Sequence, residues 1–311
     1  MKTAVLIVGH GSRLPAGNEE VRQFAKRIEA QLPEQLLVET CFLEFESPNI
    51  AQGMKACVER GAEKIITIPI MLLQAGHSKI HIPMAIDEAK ELYPHVSITY
   101  GRPLGIHPSL IDILEYRLAE SGFVKDEQDE DTTVLLVARG GSDLDSNSDV
   151  YKIARLLSEQ IGVRNVEPAF MGVTYPTVDE GIMRCEKLGA KKVYMLPYFL
   201  FTGILMERMT DWKARYDTEY DMDITLCEYF GYHSLLEKVV IERIEEALAG
   251  DVKMNCDTCT YRINASEFVD HHHHHDHDHD HDHGHGHHHH HHDHDHDHSH
   301  DHAHDHKEVH Q

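Results

Sequence analysis

Short apolar runs alternate with amphipathic stretches from the N-terminus to about residue 250. The first run, Ala4-Val5-Leu6-Ile7-Val8, is apolar on both faces, as in a parallel strand covered by helices on either side. Strands are predicted at Thr3–Val8, Leu36–Phe42, Lys64–Ile68, Ser97–Tyr100, Thr133–Val137, Asn165–Phe170, Lys192–Leu196 and Asp223–Cys227. Helices are predicted at Asn18–Gln31, Asn49–Arg60, Pro83–Tyr93, Pro108–Ser121, Asn147–Ile161, Val178–Lys187, Gly203–Tyr216 and Ser234–Leu248. This alternation predicts an α/β fold.

The second half echoes the first at an offset of about 128 residues. Val5-Leu6-Ile7-Val8-Gly9-His10-Gly11 pairs with Val134-Leu135-Leu136-Val137-Ala138-Arg139-Gly140, Pro48 with Pro176, and Pro69 with Pro197. An internal duplication follows, giving two lobes with four strands each. The expected organisation is a first lobe over 1–122, an acidic linker over 123–131 and a second lobe over 132–250. A cysteine-bearing segment over 251–269 and a His/Asp tail over 270–311 complete it. Two facing lobes enclose a cleft, the usual place for a ligand.

Composition narrows the function. The net charge is −24; the tail holds ten Asp, one Glu and one Lys, so the body is acidic as well. Sequence-independent nucleic-acid binding is thereby disfavoured. No apolar run reaches the ~18 residues of a membrane span, and Met1–Val8 enters a strand without a leader pattern, so the expected compartment is the cytoplasm. Six cysteines do not suggest a disulfide framework; Cys41, Cys57, Cys185 and Cys227 sit in apolar contexts and read as buried or partly buried thiols. Cys256 and Cys259 form a Cys-x-x-Cys pair, a spacing that serves redox chemistry, zinc or nothing.

The candidate chemistry lies where the halves differ. His10 follows the first strand between two glycines, and its counterpart is Arg139. His77 ends the stretch Leu72-Leu73-Gln74-Ala75-Gly76-His77, and the matching stretch from Leu200 has no histidine. One active and one degenerate half are expected, with the ligand at the carboxyl ends of the strands. In an extended chain Glu44 and Glu46 share a face opposite Phe45 and bring a carboxylate towards the histidines. Pro83 disfavours helix before it, so His77 and His81 read as loop residues rather than a helical pair. No phosphate loop, dinucleotide fingerprint or nucleophile elbow is present, which leaves ATP-driven and nicotinamide chemistry without support.

The tail carries 24 of the chain's 30 histidines, mostly in runs or alternating with aspartate. Neutral imidazole binds Co²⁺, Ni²⁺ and Zn²⁺, so the tail is expected to hold additional divalent metals without a fold. His287–His292 alone would pass for a purification tag, but the flanking repeat does not. The lack of apolar residues predicts disorder in the metal-free tail.

In order, the motifs are Gly9-His10-Gly11-Ser12-Arg13, Glu44-Phe45-Glu46-Ser47-Pro48, the Pro69–Pro83 segment with Gly76-His77, Met254-x-Cys256-x-x-Cys259 and the His-rich tail. Together they resemble the class II tetrapyrrole chelatases, and among them the long-form sirohydrochlorin cobaltochelatases of anaerobic cobalamin synthesis. The resemblance implies a chelatase-like fold and insertion of Co²⁺ into sirohydrochlorin, with two protons released and no ATP. It implies His10 as proton acceptor and metal ligand, His77 as second ligand, and Glu46 as a catalytic substrate contact and proton outlet. Leu72, Leu73, Gln74, Ala75 and Gly76 would line the ring pocket. Cys256 and Cys259 would serve a [4Fe–4S] cluster. Because sirohydrochlorin carries many carboxylates, a local basic rim is expected from Arg13, Lys79 and Arg102. A monomer or homodimer is expected. Sirohydrochlorin ferrochelatase is the alternative within the class, and a non-catalytic metal-storage protein or metallochaperone the alternative outside it.

Overall fold

The computed structural model describes residues 2–125 and 131–250; the Cys256/Cys259 pair and the His/Asp tail lie outside the described residues. Strand β1 (Thr3–Gly9) is the centre of the first sheet, and Ala4 to Val8 are fully buried. Its side chains alternate between two cores: Val5 and Ile7 face one, Ala4, Leu6 and Val8 the other. A strand buried on both faces has no polar side, which is why its sequence shows none. Around it lie β2 (Leu37–Phe42), β3 (Lys64–Pro69) and β4 (Ser97–Tyr100), all parallel, in the order β2-β1-β3-β4.

The second sheet repeats this with β5 (Thr132–Ala138), β6 (Asn165–Phe170), β7 (Lys192–Pro197) and β8 (Asp223–Leu226), in the order β6-β5-β7-β8. The helices are α1 (Pro15–Glu29), α2 (Ile50–Glu59), α3 (Ile82–Leu92), α4 (Pro108–Glu120), α5 (Leu144–Ile161), α6 (Val178–Lys187), α7 (Ile204–Glu219) and α8 (Ser234–Ala249). The halves agree in detail. Helix α2 starts in a capping box of Asn49 and Gln52, α6 in one of Thr177 and Glu180. All sixteen expected elements are present, with ends moved by at most three residues.

The last helix of each half crosses to the other sheet. Helix α8 packs on β3 and α1, and α4 packs on β7 and α5. One apolar core therefore runs through both halves, joining Phe24, Ile28 and Val5 to Val240 and Ile244, and Val134 and Ile153 to Leu114 and Leu118. Polar contacts follow the same exchange: Arg243 donates to the Leu104 carbonyl at 2.8 Å, and Arg117 to the Phe230 carbonyl at 2.6 Å.

Residues 77–81 correct the loop expectation. They form a π-helical turn that runs into α3, closed by the Ile82 N–H on the His77 carbonyl. The wider i→i+5 turn falls just where Pro83 has no N–H to give, so the proline is accommodated without ending the helix. His77 and His81 become neighbours, with ring centroids 5.1 Å apart.

Candidate active site

The register levels the carboxyl ends of three strands: Gly9 of β1 pairs with Phe42 of β2, and Val8 with Pro69 of β3. The residues that follow meet on one edge. His10 leaves β1, Glu44 stands two residues past β2, and His77 opens the π-helical turn after β3. Leu43 N–H donates to the Gly9 carbonyl at 2.9 Å and Glu44 N–H to that of His10 at 3.1 Å, extending the β1–β2 pairing. Gly11 permits this approach. Its φ is +90°, and a Cβ there would lie 1.7 Å from the Glu44 carbonyl oxygen.

The rings of His10 and His77 meet edge to face, centroids 4.8 Å apart, and His10 Nε2 is 3.4 Å from a Glu44 carboxylate oxygen. One ligand atom from each of His10, Glu44 and His77 lies within 4.8 Å of the others. Divalent metals bind such atoms at roughly 2.0–2.2 Å, so side-chain shifts of about 1 Å bring all three onto one ion. His77 Nδ1 is buried and has no hydrogen-bond partner among the described residues. Burial, then repulsion from His10, lowers the His77 pKa to about 4 against the pull of Glu44. Burial also lowers that of His10, against its bond to the Gly11 carbonyl. Both imidazoles are thus neutral at neutral pH, the form that binds a metal.

Glu46 does not join them. Phe45 takes a left-handed backbone (φ 64°), which breaks the extended alternation expected of this segment. Glu44 turns to His10, while Glu46 pairs with Arg22 at 2.9 Å and accepts from Asn18 at 2.7 Å and Ser47 N–H at 3.0 Å. The Ser47 N–H, then Arg22 and Asn18, hold its carboxyl below the ordinary range. Asn18 in turn bonds both the N–H and the carbonyl of Ser12, so Glu46 braces the loop after His10.

A cavity of about 430 Å³ opens beside His10, lined by Arg13, Asn18 and Phe45 from the first half and by Arg139, Phe201 and Arg208 from the second. A second of about 270 Å³ shares His10 and Arg139 with it and adds Leu72, Leu73, Ala75 and His77. Gln74 and Gly76 are not among its lining residues. The expected basic rim is corrected in two of three places. Lys79 is buried and holds Asp143 of the second half at 2.5 Å, and Arg102 is taken by Glu246 of α8 at 2.6 Å. Arg13 does reach the cavity, stacked 4.4 Å over the Phe45 ring, and Arg139 and Arg208 join it. Among the described residues none of these three forms a salt bridge; Arg13 stacks on Phe45 and Arg139 meets His10. Three guanidinium groups with no carboxylate partner around one cavity suit a polyanionic ligand.

Sequence reasoning missed Arg139 and Arg208. Arg139 stands at the position aligned with His10, where the sequence alone suggests a lost histidine and not a part of the site. Arg208 lies on α7 with no signal of its own. The close approach of the halves is also local chemistry: Glu20 accepts from Thr202 N–H and Tyr229 O–H, each at 2.8 Å, fixing the second-half loop that walls the larger cavity.

No helix among the described residues is long and apolar enough to cross a membrane. The CbiX family profile matches residues 4–121 and again 133–247. A sirohydrochlorin cobaltochelatase of Priestia megaterium is 57% identical over 86% of this chain and 88% of its own. A sirohydrochlorin ferrochelatase of the same organism is 37% identical over 79% of this chain and 91% of its own. Among solved structures, SirB from Bacillus subtilis with Fe³⁺ superposes with a TM-score of 0.72 at 34% identity, covering 81% of this chain and 97% of that one. With two matched segments on two sheets of one topology, the chain belongs to the CbiX family, within the class II chelatases.

Proposed function

We propose that this chain is a sirohydrochlorin cobaltochelatase, inserting Co²⁺ into sirohydrochlorin in cobalamin biosynthesis. The observation that carries the reading is the His10–Glu44–His77 cluster opening on a cavity edged by Arg13, Arg139 and Arg208. The 57% identical relative bears that name. Neutral His10 and His77 take the dication from water, Glu44 adds a compensating charge, and the arginines hold the macrocycle's carboxylates. As the ion passes to the ring nitrogens, two N–H protons leave. His10 Nε2, vacated by the metal, takes one and the Glu44 carboxylate the other, and both then pass to water. The oxidation state does not change and no nucleotide is consumed. With a pKa near 4, His77 is a poor base and serves as a ligand.

A ferrochelatase reading has one observation in its favour, the 37% identical relative of that name. Fe²⁺ and Co²⁺ are neighbours in ligand preference, so the same cluster accepts either. The tail, in our reading, stores divalent metal and passes it to the cleft.

The [4Fe–4S] centre of the resemblance draws on Cys256 and Cys259, and such a cluster takes four cysteines. The other four thiols do not fit the role. Cys41, Cys57, Cys185 and Cys227 are buried at 0–1% exposure. Burial pushes the thiols of Cys57, Cys185 and Cys227 up to about 12, and that of Cys41 upward as well. The remaining ligands then come from a second copy of the chain or are not cysteine, and no step of the insertion runs through the cluster.

The test is anaerobic spectrophotometry of sirohydrochlorin with Co²⁺ and with Fe²⁺, comparing the intact chain with the His10→Ala, His77→Ala double variant. Cobalt insertion by the intact chain alone is expected. Insertion of Fe²⁺ only favours the ferrochelatase. No acceleration with either metal, alongside bulk metal binding, overturns the enzyme reading in favour of storage.

A further inference from the structure

Arg139 occupies the first-half site from the second half. His10 Nδ1 lies 3.0 Å from the Gly11 carbonyl, which places the ring proton on Nδ1 and leaves the lone pair on Nε2. That lone pair is already engaged: an Arg139 guanidinium nitrogen lies 2.8 Å from it and donates to it. The same Nε2 faces Glu44 at 3.4 Å, and with the proton on Nδ1 it is the nitrogen whose lone pair can bind a metal. One lone pair cannot accept a guanidinium N–H and bind a cation together, and a guanidinium at that distance repels a dication besides. Arg139 is exposed, borders both cavities, and forms no salt bridge among the described residues. It is therefore free to turn towards an anion placed in either cavity.

We propose that Arg139 is a latch on the metal site: it covers His10 Nε2 while the cleft is empty, and a carboxylate of the incoming macrocycle draws it off. This rests on the chelatase reading and adds an order to it. The macrocycle raises the site's affinity for metal, and by linkage the metal raises its affinity for the macrocycle. Arg139 acts through His10 and the substrate carboxylate, so it is a positioning residue.

The tail would swamp a bulk metal titration, so the test must be resolved by residue. Cleavage after Lys2 and Arg13 yields a peptide, Thr3–Arg13, whose one histidine is His10. Diethylpyrocarbonate acylates a free imidazole nitrogen, and mass spectrometry of this peptide reads His10 alone in the full chain. In R139Q, metal-free His10 should label faster than in the wild type. Buffered Co²⁺ should protect it at about tenfold lower free concentration, the effect of releasing one charged hydrogen bond. In steady-state insertion, the wild-type KM for Co²⁺ should fall as sirohydrochlorin rises. R139Q should lose that dependence and show a macrocycle KM raised about tenfold, with R139K, which keeps the charge, restoring it in part. Equal labelling rates and equal Co²⁺ midpoints in R139Q and wild type overturn the latch. A wild-type chain that inserts no metal, with R139Q still differing from it in labelling rate and Co²⁺ midpoint, overturns the chelatase reading and leaves only the covering of His10 by Arg139.

Discussion

Replacing Gly11 by alanine should separate the fold from its chemistry. The new Cβ would sit 1.7 Å from the Glu44 carbonyl oxygen, where real contacts do not fall below 3.0 Å. The Glu44 segment must therefore retreat by at least about 1.3 Å, with Gly11 itself held at φ +90°. The left-handed backbone costs an alanine about 1–2 kcal/mol, and the displaced pairing of Glu44 N–H with the His10 carbonyl about another 1 kcal/mol. A loss of about 2–3 kcal/mol lowers Tm by about 4–12 °C for a body of this size. Activity should suffer far more, because misplacing a reacting group by about 1 Å costs on the order of a hundredfold. The assay is anaerobic cobalt insertion beside a thermal melt, with Gly140→Ala as the companion. Gly140 is the second-half counterpart, with φ +78° and a virtual Cβ 2.3 Å from the Gly172 carbonyl oxygen. It should lose comparable stability and less activity, since the segment it displaces carries no carboxylate of the cluster. A Gly11→Ala enzyme within threefold of wild type, at a lowered Tm, would refute the claim that Glu44's placement matters to insertion.

Four further outcomes are expected. With macrocycle saturating, kcat/KM for Co²⁺ should hold as pH falls towards the ordinary histidine value near 6.5 and decline only below it, as His10 and His77 take up protons. Between about 4 and 6.5 an unfolded histidine holds a proton that folded His77 does not, so stability also declines as acid is added through that window; an activity loss centred at 6.5 would contradict both statements. Lys79→Met strands a buried Asp143 and should cost about 3–5 kcal/mol in urea denaturation, with the Lys79→Met, Asp143→Asn pair regaining most of it; a single-variant loss below about 1 kcal/mol would count against this pairing. Arg13→Glu should raise the sirohydrochlorin KM at least about tenfold while Arg102→Glu leaves it unchanged, because the guanidinium of Arg102 is committed to Glu246; equal effects would restore Arg102 to the rim. Removing residues 270–311 should leave turnover intact at saturating Co²⁺ and depress it when metal is scarce; loss at saturation would give the tail a part in the reaction itself.

The elements were legible because burial on both faces leaves a signature: β1 has no polar position to confuse the period, and neither has β5. His10 and His77 were legible because each follows a buried strand and is absent from the second copy. What escaped depended on backbone angles and on distant partners. A positive φ at Phe45 parts Glu44 from Glu46, which an extended chain would leave on one face, and phenylalanine announces no such turn. Lys79 and Arg102 looked like free cations because their partners, Asp143 and Glu246, stand 64 and 144 residues away. The crossing of α4 and α8 was equally invisible, since an amphipathic helix shows which of its faces is apolar but not which sheet it covers.

The contact between His10 and Arg139 also bears on symmetry. These residues hold equivalent positions in the two halves and touch each other, as residues on a two-fold axis do. An isologous pair of identical single-lobe subunits must place the same side chain on both sides of that axis, so histidine would face histidine or arginine would face arginine. Joining the lobes in one polypeptide lifts the restriction. Each half then drifts alone while α4 and α8, exchanged between sheets, hold the partners together at a fixed one-to-one ratio. The chain is in effect a tethered heterodimer, and the unlike pair at its axis is chemistry that no homodimer of either half could assemble.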